Sequence, residues 1–91
     1  MSNGNRPDPS AHAQTLRRRA EEKVRSGVLP LQAPDRSWTS RGTGQACGVC
    51  GLPIDPAGPE YDLEFGSDEA PVFVRFHRVC LAVWELLRRG A

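Results

Sequence analysis

The sequence predicts a small α+β domain, with one helix near each end and an antiparallel β-hairpin between them. Three observations support this class. The chain has 91 residues, which is enough for one small domain. Residues 60–65 and 72–76 alternate apolar and polar side chains, as half-buried strands do. The segments before and after these strands carry apolar residues at helical spacing, so helices are expected on both sides.

The first helix is expected to begin at Asp8-Pro9, with Asp8 as the N-cap and Pro9 in the first helical position. Gly27 suits the position just after a helix C-terminus, and Pro30 prevents the helix from continuing. One face carries a narrow apolar stripe of Ala13, Leu16, Ala20 and Val24. Because this stripe needs a surface to pack on, we expect the helix to dock on the C-terminal part of the chain. Residues 1–7 are polar and are predicted to be disordered.

Residues 29–46 are predicted to be a connector, because they hold two prolines and show little periodicity. Trp38 is their one aromatic side chain, and we expect it to cover the core of the C-terminal module. Gly42-Thr43-Gly44 has neither a preceding strand nor a following Lys-Ser/Thr, so it gives little support to a phosphate-binding loop. We therefore expect residues 8–44 to be a helix and connector that pack on a module formed by residues 45–91.

Four potential metal ligands occur in two pairs with the same spacing. Two residues separate Cys47 from Cys50, and two residues separate His77 from Cys80. At this spacing a tight turn or one helical turn directs both side chains toward one point. Three thiolates and one imidazole complete a tetrahedral shell for Zn²⁺, and a shell without an open position is typical of a structural site. The sequence therefore predicts one Zn²⁺ per chain, in a zinc knuckle joined to a second ligand pair.

Other interpretations of these residues remain open. Cys47 and Cys50 could form a redox-active pair, or the four residues could be unrelated, but neither alternative gives a role to the second pair. Iron–sulfur ligation by three Cys and one His also agrees with the residue types. The cysteine count of three is odd, which excludes a full disulfide framework.

The hairpin is expected to have one apolar face and one acidic face. The apolar face comprises Tyr61, Leu63, Phe65, Val72, Val74 and Phe76. On the first strand the opposite face carries Glu60, Asp62 and Glu64. This pattern is more typical of a solvent-exposed strand than of a surface that binds another protein. An isolated hairpin is only marginally stable, so the metal and the last helix must support it.

The second helix is predicted over residues 77–89, which places His77 and Cys80 on one face. Trp84 and Leu87 extend this face. Further apolar residues widen it, namely Val79, Val83 and Leu86. The resulting apolar arc is too broad for one hairpin to cover, so either the first helix or a partner must cover the rest.

Size and composition indicate a metal-dependent cytoplasmic domain. A domain this small buries little apolar surface, whereas structural zinc supplies about 10–16 kcal/mol in small peptides. No segment approaches the length of a membrane span, and residues 1–10 lack an apolar signal segment, so a reducing, cytoplasmic location is expected. The net charge is near zero but uneven, since residues 1–46 carry +4 and residues 47–91 carry −3.

The order of these features resembles a treble-clef zinc finger: a Cys47-x-x-Cys50 knuckle, a hairpin, and His77-x-x-Cys80 at a helix start. Over about residues 45–89 the pattern is similar to the first zinc module of a LIM domain, although the gap between the pairs is longer. The phrases Cys-Gly-Leu-Pro-Ile and Phe-His-Arg-Val-Cys-Leu-Ala-Val-Trp also resemble a class of small, uncharacterised bacterial zinc-binding proteins. These resemblances imply a fold and a bound zinc, and they imply no activity.

The leading functional hypothesis is a small regulatory or adaptor module that binds another protein, with zinc holding its fold. The broad apolar arc of the second helix supports it. The alternative is nucleic-acid binding through the basic residues of the first helix, Arg17, Arg18, Arg19, Lys23 and Arg25. Glu21 and Glu22 lie four residues from Arg17 and Arg18, where they can pair, so this helix presents a mixed face.

Catalysis is not expected from this sequence. A zinc shell of four protein ligands has no position for a reactive water. His12, the histidine outside the ligand pairs, lies on the polar side of the first helix, and no catalytic residue is assigned. A thiol redox switch is a less favoured alternative, in which oxidation of the thiolates would release the metal.

Overall fold

The computed structural model describes residues 9–66 and 69–90, which form two helices and a three-stranded antiparallel sheet. The elements follow in the order α1 Pro9–Arg25, β1 Arg36–Arg41, β2 Pro59–Phe65, β3 Val72–Phe76 and α2 Arg78–Gly90. The fold is therefore a small α+β arrangement. The expected N-cap at Asp8 and the expected disordered segment at residues 1–7 lie outside the described residues. Neither described helix combines the length and the apolar character that a membrane span requires.

β2 and β3 form the expected hairpin, and their register gathers the apolar side chains on one face. Leu63 pairs with Val74, and Tyr61 pairs with Phe76. Directly paired residues project to the same side of a sheet, so these side chains make one apolar layer. Phe76 is completely buried, and α2 packs on this side of the sheet. The alternation in the sequence thus identified both the strands and their inner face.

Trp84 of α2 lies at the centre of the core and is fully buried. Its ring stacks on Phe76 with centroids 5.6 Å apart and meets Phe65 edge-on at 5.9 Å. The indole Nε1–H donates a hydrogen bond to the Pro30 carbonyl at 2.8 Å, which satisfies the one polar group of this side chain. A single residue therefore joins α2 to both strands of the hairpin and to the segment after α1.

The segment expected to be a connector contains a third strand, so that prediction was wrong. β1 pairs antiparallel with β2 along its whole length, from Arg36 opposite Glu64 to Arg41 opposite Pro59. Every residue of β1 is exposed. Because no buried face imposes an apolar alternation on this strand, local sequence periodicity does not reveal it.

Trp38 also differs from the expectation, since it does not cover the core. It pairs with Asp62 and therefore lies on the sheet face that points away from α2. Its ring contacts Phe73 edge-on, with centroids 6.3 Å apart, and 44% of the residue remains exposed. The register of β1, which the sequence did not reveal, decides this orientation.

α1 ends as expected at a glycine cap. Gly27 N–H donates to Val24 O at 3.1 Å, and Val28 N–H donates to Lys23 O at 2.8 Å. These two bonds are the Schellman pattern, in which the chain reverses at a glycine and satisfies the last helical carbonyls. The reversal sends the chain back so that Leu29 enters the core.

α1 lies against α2 through part of its apolar stripe. Leu16 and Ala20 are buried, and Val24 packs against the core, whereas Ala13 is exposed. Arg19 adds a polar link, because its Nη1 donates to the Cys50 carbonyl at 3.2 Å. The stripe therefore covers part of α2, and its first residue does not contribute to the core.

Candidate metal centre

The first ligand pair lies on a tight turn between two short paired segments. Cys47 N–H donates to Leu52 O at 2.9 Å, and Gly51 N–H donates to Cys47 O at 3.0 Å. Gly51 has a positive φ of 78°, which glycine adopts without strain. Val49 N–H lies 3.4 Å from Cys47 Sγ and donates to it. The turn therefore supplies both thiols and a backbone donor that stabilises a thiolate.

Gly48 brings this turn into contact with β3. Its N–H donates to Arg75 O at 2.7 Å, so the turn is hydrogen-bonded to the strand that leads into His77. A Cβ at this position would lie 2.6 Å from Val74 Cγ1, a distance that real side chains do not reach. Glycine between the two cysteines therefore allows this close approach, and a larger residue would require Val74 to shift.

The second ligand pair lies at the junction of β3 and α2. The His77 carbonyl accepts a hydrogen bond from Leu81 N–H at 2.8 Å, which makes His77 the N-cap of α2 rather than a residue within it. The helix thus begins one residue later than the sequence predicts. Cys80 follows in the first turn and is buried.

The two pairs meet in one compact cluster. The ligand atoms of Cys47, Cys50, His77 and Cys80 all lie within 4.8 Å of one another. His77 Nδ1 is 3.4 Å from Cys50 Sγ and 4.0 Å from Cys80 Sγ. A tetrahedral Zn²⁺ with Zn–S and Zn–N bonds of about 2.3 and 2.05 Å requires ligand atoms about 3.5–3.8 Å apart. The donor set therefore suits such an ion, and the longest separation in the cluster would have to shorten by about 1 Å around it.

The hydrogen bond on the far side of the imidazole identifies the ligating nitrogen of His77. Its Nε2 lies 3.2 Å from the Pro53 carbonyl, which can only accept. Nε2 therefore carries the proton, and Nδ1 presents its lone pair to the thiols. A carbonyl behind a ligating histidine is the usual arrangement that orients the ring toward a metal.

The cysteines are poised unequally for ionisation. A hydrogen bond from Cys80 lowers the pKa of Cys47 to about 4 against the opposing effect of burial, helped by backbone N–H donors including that of Val49. The same hydrogen bond, burial and the nearby Cys47 and Cys50 raise the pKa of Cys80. Two buried thiolates side by side repel each other, and a divalent cation would remove this conflict.

Solvent reaches the cluster from one side. Cys47 and Cys80 are buried, whereas Cys50 and His77 are half-buried and border a cleft of about 200 Å³. His12 of α1 also lines this cleft but is not among the clustered ligands. Of the two histidines, His77 is therefore the one that lies with the three cysteines.

A second polar cluster, which the sequence did not indicate, lies at the acidic face of β2. Glu60 is 1% exposed, so this face is not the solvated strand that was expected. Its carboxylate accepts hydrogen bonds from Thr43 N–H at 3.0 Å and from Thr43 Oγ1 at 2.8 Å. Arg75 Nε lies 3.4 Å from the other carboxylate oxygen. The segment that resembled a weak phosphate loop therefore holds a buried carboxylate.

Asp62 lies beside Glu60 and completes this polar cluster. Burial, together with the adjacent Glu60 carboxylate, raises the pKa of Asp62 to about 6. Burial would also raise the pKa of Glu60, but hydrogen bonds from Asp62 and Thr43 and the charge of Arg75 lower it. Asp62 Oδ1 is buried and has no hydrogen-bond partner among the described residues. A proton on Asp62 would satisfy this atom by bridging the two carboxyl groups.

Comparison of the chain with protein-family models, with curated proteins and with solved structures gives no match. The interpretation of the cluster consequently rests on its own geometry and donor chemistry.

Proposed function

We propose that the chain is a small zinc-binding protein in which one structural Zn²⁺, held by Cys47, Cys50, His77 and Cys80, stabilises a treble-clef-like module. The observation that carries this proposal is the approach of three cysteine sulfurs and one imidazole nitrogen to within 4.8 Å of one another. Zinc bound there would tie the turn of the first pair to the junction of β3 and α2. All three cysteines of the chain belong to the cluster.

The module is proposed to act as a regulatory or adaptor protein that binds another protein, and not as an enzyme. A shell of three thiolates and one imidazole leaves no coordination position for substrate or water. Large aliphatic side chains on α2, such as Val79 and Leu86, are exposed, and apolar groups that form a contiguous patch are typical of interaction surfaces.

Nucleic-acid binding has less support, because two arginines of the basic run have other contacts. Arg17 pairs with Glu21 at 3.3 Å, and Arg19 donates to the Cys50 carbonyl. A phosphate backbone would have to compete with these contacts. We therefore expect generic duplex DNA to bind weakly at moderate salt.

The metal assignment is tested by metal analysis of the purified chain and by cobalt substitution. We expect one zinc per chain, and visible Co²⁺ bands of a tetrahedral site with thiolate ligands. His77→Ala and Cys80→Ser should lose the metal, whereas His12→Ala, the matched histidine variant, should retain it. An octahedral cobalt spectrum or unchanged metal content in Cys80→Ser would reject the site. A coloured protein that contains iron and sulfide would show that the site binds an iron–sulfur cluster instead of zinc.

A further inference from the structure

β1 forms an edge of the sheet that the described part of the chain leaves open. The strand order is β1-β2-β3, so β1 pairs with β2 alone, and neither described helix packs on it. All six of its residues are exposed, and an open cleft of about 230 Å³ lies between it and Leu81 of α2. The edge at β3 differs, because the metal-binding turn covers it through the bond from Gly48 N–H to Arg75 O.

The backbone hydrogen-bonding groups of β1 alternate between β2 and the open side. Gly42 N–H donates to Gly58 O at 2.9 Å, and this pair continues the register of β1 with β2. In an antiparallel pair, such hydrogen-bonded positions recur at every second residue. Trp38 therefore bonds to β2, whereas the N–H and C=O groups of Ser37 and Thr39 point away from it. These groups are presented to an added strand.

β1 lacks the features that usually prevent such pairing. Edge strands are commonly protected by proline, by a bulge or by charged side chains along the strand. β1 pairs with β2 without a bulge, contains no proline and carries its charges only at its ends, Arg36 and Arg41. At its middle, Trp38 is 44% exposed and packs on Phe73, which is 47% exposed. The centre of this edge is therefore uncharged and carries an exposed aromatic pair.

The strand is complementary to itself about Trp38. A two-fold axis at Trp38 would place Ser37 opposite Thr39 of a second copy, in antiparallel orientation. Each of the two equivalent Ser37–Thr39 pairs can then form two backbone hydrogen bonds. Trp38 would meet its own copy at a position without hydrogen bonds, where paired strands are closest and aromatic side chains stabilise the pairing.

The charged groups favour the same register. Arg41 would lie opposite Asp35 of the second copy, and neither residue has an ion pair within the described part of the chain. Both are exposed, and Asp35 Oδ2 accepts a hydrogen bond only from the uncharged Gly66 N–H, at 2.8 Å. Sliding the strands by two residues would remove both the Trp38 pair and these ion pairs. The side chains therefore select one register.

We infer that the chain forms a two-fold symmetric dimer, in which antiparallel β1 strands centred on Trp38 join two three-stranded sheets into one. This inference goes beyond the proposed function and does not depend on a bound metal. A strand of another protein could use the same backbone groups, but only a second copy supplies the matching Trp38 and Asp35. Because the two-fold pairing uses both open edges, assembly stops at the dimer.

Sedimentation equilibrium of the full chain as purified, in reducing buffer, tests this inference. One strand pair is smaller than a standard interface, so we expect a monomer–dimer equilibrium with a Kd of about 1–100 µM. Amide hydrogen exchange then locates the interface. The amides of Ser37 and Thr39 should exchange about tenfold or more slowly in the dimer than in the monomer, whereas the Trp38 amide should be protected in both.

Thr39→Pro removes an outward N–H group of β1 without removing a hydrogen bond to β2. It should weaken the dimer by about tenfold or more. Thr39→Val is the matched control, since it keeps the N–H group and the β-branched shape, and its Kd should change by less than about twofold. If Thr39→Pro loses its fold, Trp38→Ser still decides, because it removes the aromatic pair and should weaken the dimer by about tenfold.

A charge exchange tests the register. Arg41→Glu would place two carboxylates opposite each other, and Asp35→Arg would place two guanidinium groups opposite each other. Each variant alone should therefore dimerise at least about fivefold more weakly than the unmodified chain. An equimolar mixture restores opposite charges in both pairs, so the mixed dimer should form more tightly than either variant does by itself.

Other results overturn the inference. A chain that stays monomeric up to about 500 µM would reject the dimer. A dimer that Thr39→Pro and Trp38→Ser leave unchanged would place the interface elsewhere, and folded charge variants that do not recover on mixing would reject the register. A monomeric chain whose Ser37 and Thr39 amides become protected by a peptide selected from a displayed library would assign the edge to another protein.

Discussion

At the scale of single residues, Gly42 is a position where one added methyl group would separate two chain segments. A Cβ there would collide with the backbone carbonyl of Asp55 and would lie 2.8 Å from the Ile54 carbonyl. Gly42 N–H also donates to Gly58 O at 2.9 Å, so the two segments are hydrogen-bonded at this point. The next residue, Thr43, holds the buried Glu60. Gly42 is therefore required by close backbone packing and not by phosphate binding.

Gly42→Ala should lower the free energy of unfolding by more than about 2 kcal/mol, because rigid backbone atoms must move to admit the new methyl group. Gly58→Ala is the matched control, since the nearest atom to its Cβ would be Asp55 O at 3.7 Å, an ordinary contact. Its effect should remain within about 1 kcal/mol. Denaturant unfolding of the zinc-loaded variants measures both, and equal losses would contradict the steric explanation.

The pair of Asp62 and Glu60 predicts a pH dependence of stability. Burial and the adjacent Glu60 carboxyl group raise the pKa of Asp62 to about 6 in the folded protein, well above the ordinary value of an aspartate. Its protonation therefore stabilises the fold below about pH 4, and this contribution is lost as the pH rises through about 6. Asp62→Asn mimics the protonated state and should raise the free energy of unfolding by about 1–2 kcal/mol at pH 7.

The stability gain of Asp62→Asn should shrink as the pH falls from 7 toward 4, since the unmodified chain then acquires the proton. Comparing the variant with the unmodified chain at saturating zinc cancels the common effect of pH on metal binding. Glu64→Gln, which removes a carboxylate from the same face of β2 but not from the pair, serves as the control. A gain that does not vary with pH would show that the two carboxyl groups do not share a proton.

At the scale of elements, α1 is a packed part of the fold and not a free basic arm. Leu16 and Ala20 are 4% and 0% exposed against α2 and the core, whereas Arg18 and Arg25 face solvent. Apolar burial drives such docking, because an exposed ion pair such as Arg17–Glu21 contributes only a few tenths of a kcal/mol.

Leu16→Ala should destabilise the protein by about 2–4 kcal/mol, since it removes a buried side chain from the contact between α1 and the core. Arg18→Ala, two residues along the same helix and exposed, should change the free energy of unfolding by less than about 0.5 kcal/mol. Thermal or denaturant unfolding followed by circular dichroism measures both. Similar effects of the two substitutions would mean that α1 does not depend on its apolar stripe.

At the scale of the whole molecule, the ligand cluster joins the turn of the first pair to the junction of β3 and α2. The turn at Cys47 and Cys50 buries Val49 in the core and contacts β3 through a backbone hydrogen bond from Gly48. β3 then leads directly to His77 and α2, whose Trp84 organises the core. A metal at this junction would therefore stabilise the sheet, α2 and, through α2, the docked α1.

Removal of the metal should unfold residues 45–89, because the apolar core alone is small for a chain of this length. Amide NMR spectra with and without a strong chelator measure this effect. We expect the dispersed signals of β2 and β3 to collapse on chelation and to return when zinc is added. Dispersed hairpin signals in the metal-free protein would contradict the proposed coupling of metal and fold.

Much of this architecture follows from patterns within single segments. The ligand spacing, the alternation from Tyr61 to Phe65 and the glycine after α1 each depend on neighbours a few residues away. These signals predicted the cluster, the hairpin with its inner face, and the end of the first helix. They also indicated that α2 has more apolar surface than one hairpin can cover, and the exposed Val79 and Leu86 agree with this.

By itself, then, the sequence determined the ligand candidates, the helices and the hairpin, because spacing and periodicity along one segment encode them. Only the tertiary structure decided that Arg36–Arg41 is a strand, that Trp38 faces away from the core, and that Glu60 is buried. Each of these depends on the register between segments far apart in the chain. β1 exposes all its residues, so no local pattern records its pairing, and an acidic side chain looks solvated until its distant partners, Thr43 and Arg75, are brought beside it.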